Sequence, residues 1–180
     1  MSLEIVVGPM FSGKTSYALA YVRRQRAIGK RVLVIKPNID NRYSNESIMI
    51  THDGDAVKCM NWDVKVPLCS FNAANEYDCI VIEEGQFFEH LHHACYGLVF
   101  DFKKDVLLVG LDGDSKRNKF GEILDCIPYA TTLTKLNSLC CVCRDGTLAP
   151  YTKRVNAEDN AQQVDVGGAE KYIAVCLDHL

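Results

Sequence analysis

Leu3-Glu4-Ile5-Val6-Val7-Gly8-Pro9-Met10-Phe11-Ser12-Gly13-Lys14-Thr15 is the stretch that decides the fold. Its first part, Leu3 to Val7, is short, apolar and β-branched, and it stops at a glycine, the pattern of a buried strand running into a turn. A helix is predicted next, over residues 13 to 28. Ala18, Leu19 and Val22 recur there at helical spacing, Arg23, Arg24 and Arg26 gather near the C-terminal end as a solvated helix end, and Gly29 is a stop. Arg31 to Ile35 reads as a second strand halted by Pro37, with room between the two strands for one crossover helix, a βαβ unit.

Two more apolar runs follow, Cys79 to Ile82 and Val106 to Leu111, separated by a helix-length stretch from about Phe87 to Phe102. The first ends in Glu83-Glu84 and the second in Asp112. Strands that are apolar throughout and alternate with helices predict an α/β fold, a parallel sheet covered on both faces, with ligands gathering at the carboxyl ends of the strands. Past about Pro128 the texture changes to short strand-like pieces, turn residues and a cysteine-rich knot, so residues 1–136 are expected to form the main domain and 137–180 a small subdomain.

The turn from Gly8 to Thr15 matches G-x-x-x-x-G-K-[ST], and it sits between a predicted strand and a predicted helix, which is the context the pattern requires. Backbone N–H groups of Gly8, Pro9-Met10-Phe11-Ser12 (the proline excepted) and the helix start would wrap a polyphosphate; Gly13 lets the backbone come close, Lys14 reaches the outer phosphates, and the Thr15 hydroxyl would hold Mg²⁺. Such a site needs a carboxylate at the end of a neighbouring strand to support the metal. Glu83 and Glu84 supply two in succession, and neighbouring strand residues face opposite ways, so one could face the metal while the other takes a proton from an acceptor hydroxyl.

Cys140-x-x-Cys143 and Cys176-x-x-His179 together offer three thiolates and an imidazole, the donor set of a closed, structural zinc site. Cys140 is chosen over Cys141 because it gives the two-residue spacing; a redox Cys-x-x-Cys is the competing reading. The other five of the nine cysteines, Cys59, Cys69, Cys79, Cys95 and Cys126, read as small buried hydrophobes. His52, His90, His92 and His93 read as surface or polar-core residues.

Composition bounds the rest. With 180 residues, 48% hydrophobic, the chain fits one globular core with a small appendage. A net charge of -3 does not suggest a coat for nucleic acid. No run approaches the roughly 18 apolar residues of a membrane span, and Met-Ser-Leu-Glu at the start lacks a basic region leading into an apolar one, so no membrane association and a cytoplasmic location are expected.

Read together, these segments resemble the thymidine kinase family of the type shared by vertebrate cytosol, many bacteria and large DNA viruses. The likeness runs nearly end to end. It is carried by Gly8 to Thr15, Asp40-Asn-Arg-Tyr43, Thr51-His-Asp53, Glu84-Gly-Gln-Phe-Phe88, Leu111-Asp-Gly113, Phe120-Gly121, Tyr151-Thr-Lys-Arg154 and Gly167-Gly-Ala-Glu-Lys-Tyr172.

The resemblance implies a P-loop NTPase-like sheet flanked by helices, with a small C-terminal zinc-binding subdomain and a lasso-like loop. It implies transfer of a phosphoryl group from MgATP to the 5′-hydroxyl of thymidine, deoxyuridine being a possible acceptor, with Glu84 as base and Lys14 and Arg42 steadying the phosphates. Met10, Phe87, Leu111, Phe120 and Tyr172 would wall the nucleoside pocket and Thr152 would line it. Backbone groups of the segment holding Val164, Asp165 and Val166 would recognise the base. A homotetramer, inhibition by thymidine triphosphate, and the cytoplasm (the host's, for a viral protein) follow from the same likeness. Core packing is the competing explanation for Phe87, Leu111 and Phe120.

Three departures from the family pattern stand out. Glu83 replaces the usual aspartate, Ser115 stands where an aromatic is frequent, and the loop between Tyr151 and Tyr172 is slightly longer than in the vertebrate pattern. Two other classes of function compete: a P-loop nucleic-acid remodeller gripping a strand with its cysteine knot, and a non-catalytic regulatory ATPase. The first lacks interleaved cations and aromatics around the knot. The second has no need of a base at Glu84.

Overall fold

A computed structural model describes residues 1–39, 48–50, 54, 56–155, 163 and 167–180. In chain order these form β1 (Ser2–Val7), α1 (Lys14–Ala27), β2 (Val32–Pro37), β3 (Ile48–Ile50), β4 (Ala56–Lys58), β5 (Met60–Trp62), β6 (Cys79–Ile82), α2 (Leu91–Tyr96), β7 (Asp105–Gly110), β8 (Thr132–Lys135), β9 (Ser138–Leu139), β10 (Leu148–Ala149), β11 (Tyr151–Arg154) and β12 (Tyr172–Val175).

Six strands build one parallel sheet in the order β5-β2-β6-β7-β1-β8. Its side chains sort by the two-residue period of a strand. Leu3, Ile5, Leu33, Ile35, Ile80, Ile82, Val106 and Leu108 face a layer made of α2 and the short helical turns around it. Val6, Val32, Val34, Val81, Leu107 and Val109 face α1 through Ala18, Leu19, Tyr21 and Val22. Both faces are covered, as the unbroken apolar runs predict.

The structure adds one topological detail to the sequence reading and corrects two expectations. The β1-α1-β2 unit exists, but β7 and β6 lie between its two strands. The length of a crossover allows a helix; it does not dictate which slot the strand enters, and β6 and β7, apolar on both faces, take the most enclosed slots. The stretch from Phe87 to Phe102 is not one helix. A 3₁₀ turn at Gly85–Phe87 is followed by extended Phe88 and left-handed His90 before the six-residue α2, which runs on through helical Gly97 into a π turn at Gly97–Asp101. Finally, Cys69 is exposed and Cys59 half-buried, while Cys79, Cys95 and Cys126 are buried. Cys69 lies on a 3₁₀ turn whose neighbour Leu68 takes the inward position.

The end of the sheet away from the Gly8–Thr15 turn is tied by Asp105 at the start of β7. Its carboxylate accepts from Ser2 Oγ at 2.8 Å and from Lys30 Nζ at 2.8 Å, and pairs with the N-terminal amine at 3.2 Å. Burial works to raise its pKa, but these donors prevail and hold it below the ordinary carboxylate value. A depressed folded value means stabilisation that is present above the unfolded value of 3.8 and lost as pH falls through the folded one. Asp105→Asn is therefore expected to lower the melting temperature at neutral pH, and the gap from the parent should close as thermal melts are taken below that range.

Candidate active site

The turn after β1 opens directly into α1. Gly13, at φ 83°, is the residue before the helix, and no side chain caps the helix N-terminus. The first N–H groups of α1 are therefore left for a ligand, with the positive end of the helix dipole behind them. A left-handed backbone there suits glycine. The loop also folds back on itself: Ser12 Oγ donates to Pro9 O at 2.8 Å, and Lys14 Nζ donates to the same oxygen at 2.6 Å. Gly8 to Thr15 thus forms a cradle whose donor set fits a polyphosphate.

β6 ends beside this cradle. Glu83 is buried, and Thr15 Oγ1 donates to its Oε1 at 2.6 Å. This pair of oxygens from α1 and β6 is suited to Mg²⁺. Glu84 turns the other way. The divergence comes less from strand alternation than from the backbone, since Glu84 is left-handed at φ 52°, ψ 46°. Such a conformation costs a non-glycine residue about 1 kcal/mol and persists only where packing enforces it.

Glu84 lines a partly open cleft together with Met10, Phe87, Leu111, Phe120, Thr152 and Tyr172. These residues come from the phosphate turn, the ends of β6 and β7, the segment after β7, and the β11–β12 ribbon. Phe87 and Phe120 meet edge to face at 5.5 Å. Thr152 also accepts the Met10 N–H at 2.9 Å, which joins the ribbon to the phosphate turn. Arg42, Val164, Asp165 and Val166, and the Asp40–Tyr43 and Thr51–Asp53 motifs, lie outside the described residues.

At the C-terminus, ligand atoms of Cys140, Cys143, Cys176 and His179 all fall within 4.8 Å of one another. The Cys143 and Cys176 sulfurs are 3.7 Å apart, and His179 Nδ1 is 3.4 Å from Cys143 Sγ and 3.2 Å from Cys176 Sγ. A tetrahedral zinc with bonds of about 2.0–2.3 Å sets its ligands roughly 3.5–3.8 Å apart, so the cluster fits. Backbone N–H groups led by that of Cys143 point at the Cys140 sulfur and lower its pKa to about 6, toward the thiolate a metal needs. Cys141 is exposed and outside the cluster.

The profile of the thymidine kinase family matches residues 1–180. A rice thymidine kinase is 41% identical over 98% of this chain and 65% of its own length. One from the Amsacta moorei entomopoxvirus is 34% identical over 98% of this chain and 96% of its own length. The cytosolic thymidine kinase of Bos taurus is 35% identical over 97% of this chain and 69% of its own length. The chain belongs to the thymidine kinase family. Kinase chemistry on thymidine, the reaction of a transferase, follows from that membership. A replication initiator superposes on 75% of the chain and 40% of its own length at a TM-score of 0.46 and 12% identity, too loosely to bear on function. No helix among the described residues is long and apolar enough to cross a membrane.

In this thymidine kinase relative, three pocket residues carry no assignment in the sequence. Gln86, Asp114 and Gln163 line the cleft, beside Ser115, whose place at the pocket wall the sequence does indicate. Gln86 stood inside a quoted motif, yet nothing in its identity told whether it faced core or cleft. Ser115 occupies the wall where an aromatic is frequent in the family. Asp114 anchors Gln163, whose Nε2 donates to Asp114 Oδ2 at 2.9 Å and to Lys119 O at 3.1 Å. Burial opposes ionisation of Asp114, but Gln163 and the Asn118 and Lys116 N–H groups outweigh it and lower its pKa.

Loss of this anchor is expected to show in substrate affinity. Asp114→Ala should raise the KM for thymidine by roughly 3–10-fold with kcat changed less than about threefold; steady-state kinetics check the split. Stripping metal with a strong chelator should lower the melting temperature by roughly 10 °C, restored by zinc. An unchanged melt would remove the structural role from the cysteine cluster.

Proposed function

We propose that the protein transfers the γ-phosphoryl group of ATP to the 5′-hydroxyl of thymidine, giving thymidine monophosphate and ADP. One observation carries this reading. Two consecutive glutamates divide between two sites, Glu83 bonded to Thr15 of the phosphate cradle and Glu84 lining a pocket with Phe87, Phe120 and Tyr172. A cradle and an aromatic pocket that share one strand end suit a phosphate donor and a nucleoside acceptor.

In this scheme the α1 N-terminus and Lys14 hold the outer phosphates, and Thr15 and Glu83 hold Mg²⁺. That ion, when bound, supplies neutralisation of the polyphosphate charge. Phe87 and Phe120, packed edge to face on one another, give the base an aromatic wall, and closure of the cleft excludes water. Glu84 takes the proton of the 5′-hydroxyl as its oxygen bonds to the γ-phosphorus and the bond to the ADP oxygen breaks. Arg42 assists at the phosphates, and backbone groups of Val164, Asp165 and Val166 read the base edge. Zinc on Cys140, Cys143, Cys176 and His179 braces a 137–180 subdomain against the 1–136 domain. A cytoplasmic homotetramer inhibited by thymidine triphosphate, and use of deoxyuridine, complete the proposal from family likeness.

The base role is tested by Glu84→Gln, which should retain thymidine and ATP binding while kcat falls at least about 100-fold. Turnover near the parent's would move the base elsewhere. A labelled-ATP assay over several nucleosides tests the acceptor. Thymidine should exceed deoxycytidine by about 100-fold or more in kcat/KM, because groups matched to N3–H and O4 would confront the cytosine amino group with a donor. Equal rates would contradict the pocket assignment.

A further inference from the structure

We propose that Gln86 is a positioning residue that fixes the Glu84 carboxylate for proton abstraction. The inference rests on the reading of Glu84 as the base. Gln86 is 4% exposed, and its amide bridges two groups. Oε1 accepts the Leu111 N–H at 3.0 Å, and Nε2 donates to Glu84 Oε2 at 2.6 Å.

The first of these bonds decides the second. A backbone N–H can only donate, so it selects the oxygen end of the amide and turns the NH₂ end toward the carboxylate. Gln86 therefore passes the fixed position of β7 on to the side chain of Glu84. Asn could not span the same distance, and Glu would set an acceptor against an acceptor.

The surroundings make room for this one side chain from two segments. A Cβ on Gly110, at the end of β7, would collide with Gln86 Oε1 and with Ile123. A Cβ on Gly121 would collide with the Gln86 backbone. A glutamine needed only to close the turn would require the Leu111 bond alone. The second bond commits its NH₂ group to a carboxylate at the edge of the cleft. Glu84 has three rotatable side-chain bonds on a strained backbone, and a displacement of about 1 Å at a reacting group can cost on the order of 100-fold in rate.

Gln86→Glu keeps the acceptor for Leu111 N–H and replaces the donor with a second carboxyl group. The substitution thus removes the hydrogen bond that holds Glu84 and sets a second acceptor against its carboxylate. Expected are a kcat lowered about 10–100-fold and a thymidine KM within about threefold of the parent. A folded variant with unmoved kcat would overturn the proposal. Should Gln86→Glu fail to fold, Gln86→Asn serves: kcat should fall about tenfold at nearly constant KM, and parental kcat would be the overturning result. In a Glu84→Gln background, Gln86→Glu should lower residual turnover by less than about twofold; full additivity would make Gln86 merely structural. An active Glu84→Gln single variant would instead refute the base assignment itself, so the two failures are separable.

Discussion

Parallel hydrogen bonding among β6, β7 and β1 fixes where the phosphate cradle, Glu83 and Glu84 sit. The register runs Cys79 to Asp105 and Ser2 to Asp105 at one end, and Ile82 to Leu108 and Val7 to Gly110 at the other. Three strands start level and finish within a residue or two of one another. Their exits, Gly8, Glu83 and Leu111, therefore open on one edge. Parallel pairing in turn requires crossovers on both faces, and these are what bury Ile5, Leu107 and Ile80 completely. Neither the cradle nor the cleft could hold its shape on an edge strand free to fray.

On that rigid edge the chain tolerates local backbone strain. Phe11 and Glu84 are both left-handed without being glycine, at φ 64° and φ 52°. Each conformation would relax in an unsupported loop. Here Phe11 lies in a turn closed by Ser12 and Lys14 on the Pro9 carbonyl, and Glu84 lies between the last pair of β6 and the packed turn at Gly85–Phe87. The same conformation recurs at His90, Lys103, Arg117 and Arg144, but at the two turns proposed to hold phosphate and acceptor it suits preorganisation, in which geometry is set before substrate arrives.

The core of this arrangement was legible in the residues themselves. Fully apolar strands announce a two-faced sheet, the Gly8–Thr15 spacing announces its turn, and Cys140, Cys143, Cys176 and His179 announce their cluster because ligand spacing is a local property. What the residues could not convey is nonlocal. The insertion of β6 and β7 between β1 and β2 depends on competition for the most enclosed slots. The three-residue strands β3, β4 and β5 carry too few positions for a periodicity to emerge. Gln86 looks like any polar residue in a turn until Leu111 and Glu84 are found on either side of its amide, and Gly110 and Gly121 look like ordinary breakers until the space they leave is seen to be occupied.

The cysteine cluster bears on the cleft through a short chain of backbone contacts. Cys141 N–H, in the knuckle between two metal-site cysteines, donates to Ala174 O at 3.2 Å, and Ala174 pairs with Thr152 across the β11–β12 ribbon. Thr152 then accepts the Met10 N–H of the phosphate turn, and Cys176 directly follows the end of β12. The small apolar cluster around Ala149, Ala174 and Val175 is too slight to hold such a ribbon in register by burial alone. Four ligands drawn onto one ion would supply the missing restraint. They would thereby set the height of Thr152 and Tyr172 over the pocket, so that a cluster apart from the cleft would govern how closely one wall approaches the other.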